Sequence, residues 1–314
     1  MDTRASCNGE NWYPNRSAFR NITDMPSAPP VILTIAGFDP SSGAGVTADI
    51  KTIAAHCCYG VACITAMTVQ STAGVKRVEP LDPKLVIETL EELAADVEIA
   101  AVHVGMLGSG RVARAVAGFL GNHKLPNVVL DPILKSTSGA RLLDDLGVRV
   151  LTGELLPLAT VVTPNADEAS VLTGLPVTSA EDMKAAAVKL HAMGAKAVVV
   201  TGGHMEKATD LLSFQGAKGV EQEMFKSERV QSNATHGTGC AFATAIACHL
   251  AQGRSLPESA LLAKIYVGAA IANAHPLGHG TGPIHHLYRM YQQRRAAMVD
   301  MEPALERTGR PVVS

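Results

Sequence analysis

From residue 31 onward, short apolar runs alternate with longer segments in which apolar residues recur every three or four positions. The runs at 31–37, 61–69, 101–105, 127–131, 161–163 and 197–201 are almost continuously apolar, as expected of strands buried on both faces. Between them the spacing predicts helices over 45–56, 83–96, 110–123, 167–173, 180–193, 239–252 and 257–274. Strands that alternate with helices in this way are joined by crossovers and lie parallel, so the class is α/β. The helical pattern lapses between 201 and 235, where 211–214 and 228–231 read as a pair of short strands at one sheet edge. No internal repeat or Pro/Ser-rich linker divides the body. One domain is therefore expected over 30–292, after a flexible extension over 1–29 and before a tail over 293–314.

Charge and composition narrow the partners. Lys plus Arg number 27 against 29 Asp plus Glu, a net charge of -2, which leaves no basic footprint for nucleic acid. No apolar run approaches the roughly 20 residues of a membrane helix, so no membrane partner is expected. The polar N-terminus lacks the apolar core of a secretory signal. The six cysteines (Cys7, Cys57, Cys58, Cys63, Cys240, Cys248) form no C-x-x-C pair and mostly sit in apolar runs. Reduced thiols and a cytoplasmic location follow as expectations.

Polar and glycine residues gather just after the apolar runs, where α/β proteins bind ligands. The clusters are GFDPSSGAG (37–45), GMLGSG (105–110), DPILKSTSG (131–139), TPNADE (163–168), TGGH (201–204) and THGTGC (235–240). Any one of them could be turn chemistry, which also asks for Gly, Pro and Asp. Six in one chain point to a site. THGTGC is the sharpest, because it opens the apolar stretch 241–250. Gly237 and Gly239 carry no side chains, so backbone N–H groups can converge on an anion at the positive end of a helix. A helix capped by Thr235 or Thr238 is the competing reading. No G-x-x-x-x-G-K-[ST] occurs, which excludes a Walker-type NTPase. The segment 43–48 matches G-x-G-x-x-A, but no carboxylate stands at 62–65 to hold a ribose, so a nicotinamide-dependent oxidoreductase is only a distant alternative. His275, His279, His285 and His286 lack metal-ligand spacing. Cys240 reads equally as a buried thiol or as one activated by a helix N-terminus.

In order along the chain stand TIAGFDPSSGAGVTADIKT, ITAMTVQST, VGML, VVLDPIL, VVTPNADEA, THGTGC and GHGTGPIHH. With these motifs, residues 31–288 resemble the hydroxymethylpyrimidine/phosphomethylpyrimidine kinases of thiamine biosynthesis, members of the ribokinase-like superfamily. The resemblance implies a three-layer fold, a mostly parallel central sheet with helices on both faces. It implies ATP and Mg²⁺ as cofactors, a homodimer, and phosphorylation of 4-amino-5-hydroxymethyl-2-methylpyrimidine and then of its monophosphate.

Carried over residue by residue, the family's pyrimidine pocket falls on Gly37, Ala44, Asp49, Thr68, Gln70, Met106 and Ile133. The Asp49 carboxylate and the Gln70 amide would satisfy the ring acceptors and exocyclic donor of an aminopyrimidine, and Met106 would supply an adaptable apolar face. The anion hole falls on Gly237, Thr238 and Gly239, and the base on Cys240, where related sugar kinases carry Asp. Asn165 and Glu168 would organise Mg²⁺ through water, with Asp131 as a second carboxylate, and Thr201 and Gly203 would meet the nucleotide. Thr201 stands where many pyrimidine kinases have Lys, Phe38 and Ser42 vary the first glycine loop, and Lys135 adds a cation after Asp131-Pro132. A pyridoxal or pyridoxine kinase is the alternative within the superfamily, because that ring also carries a hydroxymethyl group.

Overall fold

In the computed structural model, which describes residues 28–203, 208–216, 219–227 and 232–292, the apolar runs become the centre of one nine-stranded sheet. Its strands are β1 (Val31–Phe38), β2 (Tyr59–Ser71), β3 (Gly74–Pro80), β4 (Ile99–Val104), β5 (Val128–Leu130), β6 (Val161–Val162), β7 (Ala197–Val200), β8 (Ala208–Gly216) and β9 (Gly219–Ser227). The order is β3-β2-β1-β4-β5-β6-β7-β8-β9. Neighbours from β2 to β7 pair parallel, whereas β3 at one edge and β8 and β9 at the other pair antiparallel.

The helices are α1 (Gly45–Ala55), α2 (Pro83–Asp96), α3 (Gly110–His123), α4 (Asp145–Val150), α5 (Ala166–Thr173), α6 (Ala180–Ala192), α7 (Thr238–Ala251) and α8 (Leu256–Ala272). Side-chain alternation along the strands sorts the core into two layers. Leu33, Ile35, Val102, Val104 and Leu130 face one way, against α2, α3 and α6. Ile32, Ala101, Val129, Val161 and Val199 face the other way, against α7 and α8. The three-layer arrangement expected from the motifs is therefore present. Helix α7 is buried from Cys240 to His249, and its alanines let it lie directly on the sheet.

Three departures from the sequence reading have physical causes. β2 runs on to Ser71 and turns into β3, whose Lys76, Arg77 and Glu79 are exposed at the sheet edge, so no apolar run announced it. The segment after the fifth strand holds α4, a π-helical turn at Leu151–Leu155 and a 3-10 turn at Leu156–Leu158, a change of pitch that breaks a single period. The strand paired with β8 is Gly219–Ser227; the one expected at 228–231 lies outside the described residues, as do the extension through residue 27 and the tail beyond 292. The loops following β1, β4, β5, β6 and β7 all leave the same end of the sheet, and α7 begins there.

Candidate active site

The first glycine loop is organised by a residue the sequence reading passed over. Asp39 is buried, and its Oδ1 accepts from the Ser41 amide at 2.8 Å and the Ser41 hydroxyl at 2.7 Å. Its Oδ2 accepts from the amides of Gly43 at 3.2 Å and Ala44 at 2.9 Å, and from His236 Nε2 at 2.8 Å. Burial alone would raise the Asp39 carboxyl, but the hydrogen bonds from His236, Ser41 and Ala44 outweigh it and hold the group down at about 2. His236 thereby joins this loop to THGTGC. The join is tight: Gly237, at φ 81, lies so close to the Gly43 carbonyl that no Cβ fits between them. The GHGTGPIHH segment closes the group, with the Gly282 carbonyl accepting from the His236 amide at 3.1 Å. Its Gly280 amide donates to Thr72 Oγ1, at the tip of the β2–β3 hairpin, at 3.3 Å.

Beside this junction the fold brings together most of the expected pocket. Gly37 lies against Met106, whose sulfur would be 2.9 Å from a Cβ added there. Met106 shares a small apolar cluster with Ala66 and Leu142, and Ile133 packs on it. Thr68 Oγ1 donates to the Phe38 carbonyl at 3.0 Å and stands 3.2 Å from the Gln70 amide, which in turn lies 3.2 Å from His236 Nε2.

Asp49 is the exception. It is 0% exposed, in the layer between the sheet and α7. Its carboxylate accepts from Thr34 Oγ1 of β1 at 2.7 Å and Thr244 Oγ1 of α7 at 2.9 Å, and His103 Nδ1 of β4 lies 3.2 Å away. It holds three elements together instead of forming the pocket wall, because Thr34 and His103 alternate to the same face of the sheet.

At the start of α7 the N-cap is Gly237, and no side chain caps the helix. Thr238 Oγ1 donates to the Thr235 carbonyl at 3.2 Å, so the capping alternative is not seen. Gly239 is not required by packing. A Cβ there would find only Asp131 Oδ2, at 3.8 Å, so the helix N-terminus is open toward a carboxylate and toward whatever ligand approaches it. The adjoining Cys240 is buried, and burial first, then Asp131 and Asp49, push its thiol well above the usual range. That environment opposes the base role the sequence suggested, because carboxylates resist a thiolate beside them.

Asn165 and Glu168 form a capping box at the start of α5: the Asn165 Oδ1 accepts from the Glu168 amide, and Glu168 Oε2 accepts from the Asn165 amide, both at 2.9 Å. Asp131 and Glu168 are both buried, and burial followed by neighbouring carboxylates raises Glu168 to about 8. Burial likewise raises Asp131 to about 7, against the pull of His103. A hard divalent cation fits such oxygen donors and would relieve their repulsion. Among the described residues, no group of three or more His, Cys, Asp or Glu could by itself ligate a metal, so water and ligand oxygens would complete the shell.

Thr201 is tied by its backbone to the TPN loop, its amide donating to the Pro164 carbonyl at 2.9 Å. Gly203 has open space where a side chain would stand, and the Gly202 amide donates to Asp210 Oδ1 at 3.0 Å. Asp210 is held by Lys264 Nζ at 2.6 Å, a second positioning pair that no motif signalled. Lys135 is exposed on the loop after Asp131. Asp39 was the more legible omission, since an Asp two residues before a Ser favours a side-chain-closed turn.

Over residues 39–285 the chain matches the phosphomethylpyrimidine kinase family. It is 39% identical over 262 residues to the hydroxymethylpyrimidine/phosphomethylpyrimidine kinase of Streptomyces coelicolor, covering 83% of this chain and 96% of that one. It is 42% identical over 258 residues, 82% of its length, to a thiamine biosynthesis bifunctional protein of Geobacter sulfurreducens, of which it spans about half, 52%. Its fold is similar to that of a Bacillus subtilis pyridoxal kinase solved with ADP, at a TM-score of 0.76 and 33% identity, over 84% of this chain and 100% of that one.

Proposed function

The chain belongs to the phosphomethylpyrimidine kinase family, and from that premise we propose that it moves the terminal phosphoryl group of ATP onto 4-amino-5-hydroxymethyl-2-methylpyrimidine and then onto the resulting monophosphate. The observation that carries the reading is the open N-terminus of α7 at Gly239, facing Asp131 and set beside the Gln70–Met106 pocket. Phosphoryl transfer asks mainly for positioning and charge neutralisation. Gln70 offers both a donor and an acceptor to the ring edge, and Met106 and Ile133 supply the apolar wall. Backbone N–H groups of Gly237, Thr238 and Gly239 at the start of α7 hold the migrating phosphoryl oxygens. The hydroxyl proton leaves late in a loose transition state, so the site needs no strong base. Mg²⁺, organised by Asp131 and by Glu168 and Asn165 through water, supplies charge neutralisation at the phosphates when bound. The chain acts as a homodimer in the cytoplasm, with Cys57, Cys58, Cys63, Cys240 and Cys248 as free thiols.

ADP release by the purified protein, with the pyrimidine, its monophosphate, pyridoxine, pyridoxal and ribose in parallel, tests this. The two pyrimidines are expected to turn over fastest. Faster turnover of pyridoxal would favour the second reading, a vitamin B6 kinase, which the likeness to the Bacillus subtilis pyridoxal kinase supports. No ADP above background with any of the five would overturn both.

A further inference from the structure

The Asp39–His236–Gln70 contact contains a constraint on hydrogen positions. Asp39 Oδ2 and His236 Nε2 are 2.8 Å apart, both nearly excluded from water, with 4% and 10% of their side chains exposed. An ionised carboxylate only accepts, so Nε2 must carry a proton and donate it. The Gln70 amide has one terminal atom 3.2 Å from that same nitrogen and the other 3.2 Å from Thr68 Oγ1. A nitrogen that already donates cannot accept from an NH₂ group, so the Gln70 atom facing His236 is assigned as the oxygen, which shares the one Nε2 proton with Asp39 as the longer arm of a three-centre bond. The NH₂ then faces Thr68, whose own hydroxyl proton is directed to the Phe38 carbonyl at 3.0 Å. In this arrangement every donor has an acceptor. In the reverse orientation, two N–H groups confront each other beside His236.

From this geometry we infer that His236, anchored by Asp39, is a positioning residue that locks the Gln70 amide in one orientation, and that the lock makes the site discriminate amino-substituted from oxo-substituted pyrimidine edges. The inference deepens the proposed function and rests on it. A ring nitrogen beside an exocyclic amino group presents acceptor then donor, whereas its oxo analogue presents a ring N–H beside a carbonyl, donor then acceptor. A free amide serves either edge by rotating through half a turn. A locked amide serves one, because the hydroxymethyl group must point at α7 and so the ring cannot turn over to compensate.

The test compares parent, His236→Phe, His236→Gln and Thr68→Val on the 4-amino substrate and its 4-oxo analogue. His236→Phe keeps a ring against Gly43 but removes the donor, and the ratio of kcat/KM for amino over oxo substrate is expected to fall roughly tenfold or more, with the KM for ATP unchanged. His236→Gln puts an amide nitrogen where Nε2 stood and is expected to restore most of the ratio. Thr68→Val removes the opposite end of the clamp and, of the two glycine loops, gives up only the bond to the Phe38 carbonyl, so it decides the matter if His236→Phe does not fold. It too is expected to lower the ratio. Equal loss on both substrates, or an unchanged ratio, would overturn the lock. A readout independent of catalysis is the proton NMR of the Gln70 amide in the parent, with cross-peaks expected to the Thr68 methyl and none to the imidazole. That pattern in a protein inactive on both pyrimidines would sustain the lock and sink the proposed function; the opposite pattern would sink the lock whatever the activity.

Discussion

The Asp49 carboxylate and the His103 imidazole stand 3.2 Å apart with no solvent exposure on either, under the loops that form the site. Burial alone would push His103 down, but the charge and hydrogen bond of Asp49, with Asp131 farther off, outweigh it and raise the imidazole above its usual range. A raised histidine stabilises the fold fully below the unfolded value, about 6.5, and loses that contribution as pH rises through the folded value. Asp49→Asn is therefore expected to cost about 3 kcal/mol at pH 6. The gap from the parent should narrow toward pH 9, measured by urea unfolding at both values. A gap independent of pH would show that His103 is neutral throughout.

Gly239 separates stability from catalysis. Alanine there meets only Asp131 Oδ2 at 3.8 Å, so the fold accepts it, and a helical Gly→Ala change stabilises by up to about 1 kcal/mol. The same methyl group narrows the approach to the α7 amides. Gly239→Ala is expected to melt no lower than the parent while turnover falls roughly 100-fold, the scale of losing one oxyanion donor. Thermal melting and single-turnover phosphorylation on the same sample check both halves.

Cys240 tests the other half of that loop. A general base contributes on the order of 100-fold or more, so its removal would be conspicuous. With the thiol held well above the usual range, Cys240→Ala is expected to retain turnover to within about tenfold of the parent. Alkylation by iodoacetamide at pH 8 should leave this residue unlabelled by mass spectrometry. Rapid labelling with parallel inactivation would restore the base role.

Glu168 serves both the capping box and the proposed cation site. Glutamine still accepts from the Asn165 amide, so Glu168→Gln should keep the melting temperature of the parent. It removes a charge from the cation site, and the Mg²⁺ concentration giving half-maximal ADP release is expected to rise several-fold. An identical Mg²⁺ titration would confine Glu168 to holding the start of α5.

The central strands were legible because residues such as Ile32 and Leu33 are buried on opposite faces of one sheet, which leaves an unbroken apolar run. The edge strand β3 was not, since Lys76, Arg77 and Glu79 face water and carry no burial pattern. Glycine made the site loops visible, as Gly237 shows by its positive φ and its contact with Gly43. The polar side chains were harder. Whether Asp49 reads a ligand or braces the core depends on Thr34, His103 and Thr244, which arrive from three elements far apart in the chain. The pairing of Asp39 with His236 spans 197 positions, and no local pattern encodes such a meeting.

That separation governs when the protein becomes competent during its own synthesis. The loop after β1 leaves the ribosome early, yet the imidazole that binds Asp39 follows 197 positions later, and the Gly280 amide reaches Thr72 across 208. The first two-thirds of the chain contains β1 to β7 but neither α7 nor the segment that closes on the hairpin. A nascent or prematurely terminated chain that lacks these last segments has neither the His236 contact to Asp39 nor the Gly280 contact to Thr72.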